Sequence, residues 1–221
     1  DADTVAAAAI TPVGDSAAPI PADRPLRVLV IGDSTAVALS SGMIEWAADH
    51  RDLLQVTSAA GIGCGLNPSG TPPPSDFDEY CAGIVDDLAD TVTELEPDVV
   101  VALVTFRDLE DRTWNDDEGP LPITDERFQA RLTDGYVLTS TWLLFAGAGT
   151  IVWLTPPQPA LAQPDTAMAD PERYTVYSAV LGELPSHFDG DVIVADFAEW
   201  FAAQDPPPDR HDGLHLSDDG A

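Results

Sequence analysis

Four short runs of apolar, mostly β-branched residues constrain the fold of this chain more than any other feature. They are Val28-Leu29-Val30-Ile31, Val99-Val100-Val101-Ala102, Ile151-Val152-Trp153-Leu154 and Val192-Ile193-Val194. None alternates apolar with polar, so each reads as a strand covered on both faces, as in a parallel sheet. The predicted strands are 27–31, 98–104, 150–154 and 191–195, with a weaker one at 55–59. Between them lie segments of helical length. Residues 35–48 follow the first strand, and 81–95 carry Ile84, Leu88, Val92 and Leu95 at helical spacing. Residues 125–146 carry Phe128, Leu132, Tyr136, Leu143 and Phe145; residues 172–184 and a short segment from Phe197 complete the set. Strands that alternate with helices predict an α/β fold with a parallel sheet of about five strands, helices on both faces, and a site beyond the carboxyl ends of the strands.

The 221 residues suit one domain of this kind. The first 25 are mainly Ala, Asp, Pro and Thr without a lasting period and read as a disordered linker, leaving 26–221 as the folded domain. Charge narrows the partners. There are 39 acidic residues against nine basic ones, all Arg, for a formal net charge of -30. Nucleic acid and anionic membrane surfaces are poor partners for such a chain. Its acidity fits solubility or adaptation to salt. No apolar run approaches the roughly 20 residues of a membrane span, and the N-terminus has no signal-peptide pattern. The only two cysteines, Cys64 and Cys81, have no histidine beside them, and the acidic stretch Asp108 to Glu118 lacks calcium-loop spacing and reads as a solvated loop. Neither a metal nor a cofactor is expected.

The first strand runs into Gly32-Asp33-Ser34, at the start of a predicted helix. A serine there faces the unpaired N–H groups and the positive end of the helix dipole, which suits a nucleophile whose attack creates an oxyanion. Near the other end, Asp212-Gly213-Leu214-His215 spaces an acid three residues before a histidine, on one face of a turn. The acid can orient one imidazole nitrogen while the other faces a serine hydroxyl, as a weak nucleophile needs. Asp33 itself reads as a turn-fixing residue. His211, His50 and His187 read as surface histidines, and Trp114 and Trp153 as core or rim.

With both motifs in view, the chain from about residue 26 onward resembles the SGNH hydrolases, or GDSL-type esterases. That resemblance implies a flavodoxin-like α/β/α fold with Ser34 as nucleophile, His215 as base and Asp212 as its orienting acid. The segment Gly61-Ile62-Gly63-Cys64-Gly65-Leu66, the later Cys81, Pro97-Asp98-Val99-Val100-Val101 and the terminal Asp-Gly-Leu-His look like one subgroup. Its members are extracytoplasmic domains fused behind acyltransferase-3 membrane proteins that O-acylate cell-surface glycans. The resemblance therefore implies an acyl donor and a carbohydrate acceptor as partners, an upstream membrane domain and an extracytoplasmic, tethered location. It also implies a Cys64–Cys81 disulfide, which would tie down the long loop 61–80. The oxyanion donors it implies are the Ser34 N–H and Gly63, five residues after Ser58, with Gly61 next in line. A third donor in the family is the Asn of Gly-x-Asn-Asp. Here the segment is Thr105-Phe106-Arg107-Asp108, so Arg107 takes that place, as a donor to the oxyanion, as a binder of an anionic substrate group, or in an ion pair with Asp108 or Asp111. The family's helix after the histidine block is missing from the sequence, which predicts a weakly anchored His215 loop. Two readings stay open: an esterase or O-acyltransferase, and a weak or inactive glycan-binding accessory domain.

Overall fold

The structure, a computed structural model, describes residues 23–161 and 169–217. The linker expected over 1–25 falls almost wholly outside them. Strands β1 (Leu26–Gly32), β2 (Leu54–Ser58), β3 (Val99–Leu103), β6 (Thr150–Leu154) and β7 (Val192–Ala195) form a parallel sheet in the order β2-β1-β3-β6-β7. Helices α1 (Ser34–Asp49), α2 (Asp78–Leu95), α3 (Glu126–Ala146), α4 (Pro171–Glu183) and α5 (Phe197–Ala202) cover it. The three-layer α/β/α architecture is the one expected, and most element bounds agree within a residue or two. Helix α2 starts three residues before the expected Cys81, with Asp78 and Glu79 placed favourably at its positive end.

The two-residue period of the strands divides the core. Leu29 and Ile31 of β1, Val100 and Ala102 of β3, and Ile151 and Trp153 of β6 face one side. There they pack on Leu88 and Val92 of α2, on Phe128, Leu132, Tyr136 and Leu143 of α3, and on Tyr177, Val180 and Leu181 of α4. Val28 and Val30, with Leu103, face the other side against Ala36, Leu39 and Met43 of α1 and Phe197 of α5. Each such aliphatic side chain contributes about 1.5–3 kcal/mol on burial, so a polar residue at any of these positions would break the layer it faces. Phe145 departs from the expected stripe and is 94% exposed. It lies two residues after the buried Leu143, about 200° around the helix, and therefore faces outward.

Between β3 and α3 the chain forms a two-stranded hairpin, β4 (Arg112–Thr113) with β5 (Pro120–Leu121), which the sequence did not reveal. This corrects the solvated-loop expectation for Asp108 to Glu118. Asp108 is 0% and Arg112 2% exposed, and they form an ion pair at 2.7 Å. Asp108 also accepts the N–H groups of Leu66 and Asn67 at 2.7 and 3.0 Å and the Tyr136 hydroxyl at 2.9 Å. Arg112 donates to the Ser69 carbonyl at 2.9 Å. A buried carboxylate with this many donors is satisfied, and together the pair holds the middle of the loop that precedes α2.

Candidate active site

Ser34, Gly63 and Arg107 follow the carboxyl ends of β1, β2 and β3, and Asp212 and His215 lie in the loop after α5. The turn under Ser34 is built by its neighbours. Gly32 has φ +134°, and a side chain there would run into the carbonyl of Leu103 on the adjacent strand. Only glycine permits this approach of β1 to β3. Asp33 then caps α1, and is 3% exposed. One of its oxygens accepts the Thr35 N–H at 2.9 Å and the Thr35 hydroxyl at 2.6 Å. The other accepts the N–H groups of Thr105 and Phe106 at 2.7 and 3.1 Å. Burial pushes the Asp33 carboxyl above the usual range, while these four donors pull it back. Asp33 thus joins the nucleophile turn to the loop after β3. Its capping of Thr35 follows a local sequence rule; its bond to Thr105, 72 residues away, does not.

The two distant motifs meet. His215 Nε2 lies 2.8 Å from Ser34 Oγ, and His215 Nδ1 lies 2.6 Å from Asp212 Oδ2. Asp212 Oδ1 also accepts the N–H groups of Leu214 and His215 at 2.9 and 2.8 Å. Burial opposes ionisation of Asp212, but the bonds from the His215 ring and from the two N–H groups outweigh it and hold the carboxyl well below its ordinary value. An ionised Asp212 can only accept, so Nδ1 carries the proton and Nε2 is left to accept from the Ser34 hydroxyl.

The loop carrying His215 is anchored, contrary to expectation. The Gly213 carbonyl accepts the Ala160 N–H at 2.8 Å, and the Gly213 N–H donates to Arg210 at 2.7 Å. Gly213 has φ +79°, and a side chain there would strike the Ala160 carbonyl. Arg210 donates to the Gln158 carbonyl at 3.1 Å and lies over the Phe201 ring at 4.4 Å.

Oxyanion donors can be narrowed by asking which N–H groups are engaged. The Gly61 N–H donates to the Gly32 carbonyl at 2.9 Å, which removes it as an alternative donor. Among the described residues, the N–H groups of Ser34 and Gly63 have no intramolecular acceptor. Gly63 has φ +72° and lies against the Phe77 ring, and Cys64 is disulfide-bonded to Cys81. Arg107 is 8% exposed. Its guanidinium donates to Pro73 O at 2.9 Å, to Glu110 Oε2 at 2.5 Å and to Asp78 Oδ1 at 2.5 Å. The ion pairs are therefore with Asp78 and Glu110, not with Asp108 or Asp111. Asp111 pairs with Arg173 instead, at 2.7 Å. Phe77, Asp78 and Glu110 had no signal in the sequence, because their placement depends on how the loop before α2 returns over β3.

Of the remaining side chains, Trp153 is fully buried and donates to Ser140 Oγ at 3.1 Å. Trp114 is half-buried, packed edge-on to Phe128 with Arg131 over its ring at 5.0 Å. His211 and His187 are exposed, and His50 stacks on Trp46 at 3.8 Å.

A family model for the SGNH domain (fused to AT3 domains) matches residues 4–206. The chain belongs to that family. The match stops short of Asp212 and His215, so the approach of these two to Ser34 is an observation of the structure alone. A comparison with curated protein sequences found no match. Among solved structures, the periplasmic domain of a Salmonella ser. Paratyphi A lipopolysaccharide acetyltransferase is similar, with a TM-score of 0.59 and 14% identity over 91% of this chain and 80% of that one. A GDSL-like lipase from Parabacteroides merdae matches with a TM-score of 0.54 and 15% identity over 90% and 91%. An α/β hydrolase from the metagenome of Lake Arreo, Spain, matches with a TM-score of 0.51 and 15% identity over 90% of each chain. At these identities the likeness is one of fold. Membership in the SGNH family supports acyl-ester chemistry in general terms.

Proposed function

We propose that this SGNH domain performs serine-dependent acyl-ester chemistry on cell-surface glycans through an acyl-Ser34 intermediate. The observation that carries the reading is the continuous hydrogen-bonded line Asp212–His215–Ser34, at 2.6 and 2.8 Å. Ser34 Oγ attacks the acyl carbonyl carbon as His215 Nε2 takes its proton. The tetrahedral oxyanion is received by the N–H groups of Ser34 and Gly63. Collapse expels the alcohol, which takes the proton from His215, and leaves the acyl group on Ser34. Water or a sugar hydroxyl then attacks the acyl carbon, again giving its proton to His215. The Ser34 oxygen leaves the second tetrahedral intermediate taking that proton back, which restores the free serine. Water makes the protein an esterase; a sugar hydroxyl makes it an O-acyltransferase, with acetyl as the favoured acyl group.

The family's fusion to AT3 domains supports an upstream membrane partner and an extracytoplasmic, tethered location. The periplasmic acetyltransferase domain of similar fold is consistent with both. Among the described residues no helix is long and apolar enough to cross a membrane. The accessory-domain reading draws on a specific observation, the engagement of Arg107 with Asp78 and Glu110 where the family keeps an Asn donor. One experiment separates the two. Incubation with p-nitrophenyl acetate and with a serine-reactive phosphonate should give turnover and a single adduct on Ser34. Neither product nor adduct would move the assignment to the accessory domain.

A further inference from the structure

Arg107 occupies the place of a family oxyanion donor, yet its side chain is turned toward the start of α2. The guanidinium bridges three acceptors: Pro73 O in the preceding loop, Asp78 Oδ1 on the first turn of α2, and Glu110 Oε2 in its own loop. Its stem runs along the backbone of Gly65, where an added side chain would meet Arg107 Cγ. Asp78 in turn accepts the Ser75 N–H at 2.9 Å through its other oxygen. The residue before Asp78 is Phe77, whose ring lies on Gly63, and three residues after Asp78 comes Cys81, bonded to Cys64. The next residue after Arg107, Asp108, holds the N–H groups of Leu66 and Asn67. Just before it, Thr105 and Phe106 are held by Asp33, the residue beside Ser34.

These contacts form one chain of supports. It runs from the Ser34 turn through Asp33 to the loop after β3, through Arg107 to Asp78, and through Phe77 and the disulfide to Gly63. Resting on the acyl-ester reading above, we propose that Arg107 is a positioning residue for the oxyanion hole. It fixes the Gly63 N–H relative to Ser34 by clamping the start of α2, and does not touch the oxyanion itself. The physical case is one of occupancy. The guanidinium is almost fully buried and both its terminal nitrogens are engaged by carboxylates, so a move to the oxyanion would leave Glu110, itself mostly buried, without its partner. A backbone donor placed about 1 Å wrongly loses much of its effect, because donors stabilise the transition state only when held in place beforehand.

Asp78 separates a clamp from a direct donor. Asp78→Ala cuts the link to α2 but leaves Arg107 paired with Glu110. The clamp predicts that Arg107→Ala and Asp78→Ala each lower kcat on p-nitrophenyl acetate about 10- to 100-fold with KM little changed. It also predicts that the double variant is no slower than the slower single one. Amide exchange in a peptide covering 61–66 should accelerate in both variants. Wild-type turnover by Asp78→Ala, alongside a slow Arg107→Ala, would overturn the clamp in favour of a direct donor. Additive losses, or exchange rates equal to wild type, would also overturn it. Should Arg107→Ala not fold, Arg107→Lys and Asp78→Asn carry the same comparison. If wild type itself neither turns over ester nor labels at Ser34, the acyl-ester reading fails, and the exchange measurement still decides whether the clamp exists.

Discussion

At the scale of single residues, the proposed site depends on a few atoms whose removal has calculable consequences. Ser34→Ala removes the attacking oxygen and leaves the oxyanion donors and binding surface. Ester turnover should fall by at least about 1000-fold, measured by p-nitrophenol release, with no phosphonate adduct. Asp212→Asn keeps the shape of the carboxylate but replaces an acceptor by an amide able to present N–H to the imidazole. The His215 tautomer is then no longer fixed, and kcat should drop about 1000- to 10,000-fold. A drop below about tenfold would show that Asp212 does not orient His215. Gly213 was readable as part of Asp-x-x-His but not as a necessary glycine. That need comes from its positive φ and from the Ala160 carbonyl against it, neither of which a single sequence displays.

At the scale of elements, the critical unit is the loop between β2 and α2, which supplies Gly63. It is held in its middle, at Leu66 to Ser69, by Asp108 and Arg112, and the Cys64–Cys81 bridge ties its first part to α2. The bridge spans a sequence separation of 17. Closing a loop of that size stabilises the folded state by about 3 kcal/mol in the chain-entropy account. For a domain of this size, reduction should lower the melting temperature by about 6–12 °C. It should also reduce kcat more than it raises KM, since the loop is proposed to carry a transition-state donor. Scanning calorimetry and kinetics with and without a phosphine reductant test both. The strands were legible because unbroken apolar runs have few alternatives in an α/β chain. The β4–β5 hairpin was not, because two-residue strands carry no period and Asp108 and Arg112 look like surface residues until their partners are known.

At the scale of the whole molecule, charge dominates. With 39 acidic residues against nine arginines, mutual repulsion exceeds what the ion pairs can offset. Screening should therefore stabilise the fold. The melting temperature is expected to rise between 10 mM and 1 M sodium chloride as the screening length shrinks from about 30 to 3 Å. A fall would mean that the arginine pairs outweigh the repulsion. Acid relieves the same repulsion as carboxylates protonate, but at low enough pH it also dissolves the carboxylate pairs. Asp98, Glu118 and Asp212 are held below their ordinary carboxylate values, and Asp125, bonded to the Arg127 side chain and N–H, is lowered to about 2. A carboxyl with a depressed folded pKa contributes stability above its unfolded value, near 4, and loses it as the pH falls through the folded value. Asp33 has the opposite sign, since burial raises it: its protonated form is the one favoured on folding. Among the described residues the four lowered groups outnumber it, so below about pH 4, where the ordinary carboxyls are protonated and the repulsion is gone, stability followed by denaturant melts should decline.

By itself, the sequence determined the layers, the order of the elements and the three residues of the proposed relay. Each of these is written in local pattern: apolar runs, helical spacing, a serine at a strand end, an acid three residues before a histidine. Tertiary structure alone decided which N–H groups near Ser34 are free of acceptors, and where Arg107 points. The Gly61 N–H is taken by Gly32, and the Arg107 guanidinium by Asp78 and Glu110. The reason is physical. A hydrogen-bonding group's availability depends on what the folded chain places beside it, and those partners come from strands and loops tens of residues away.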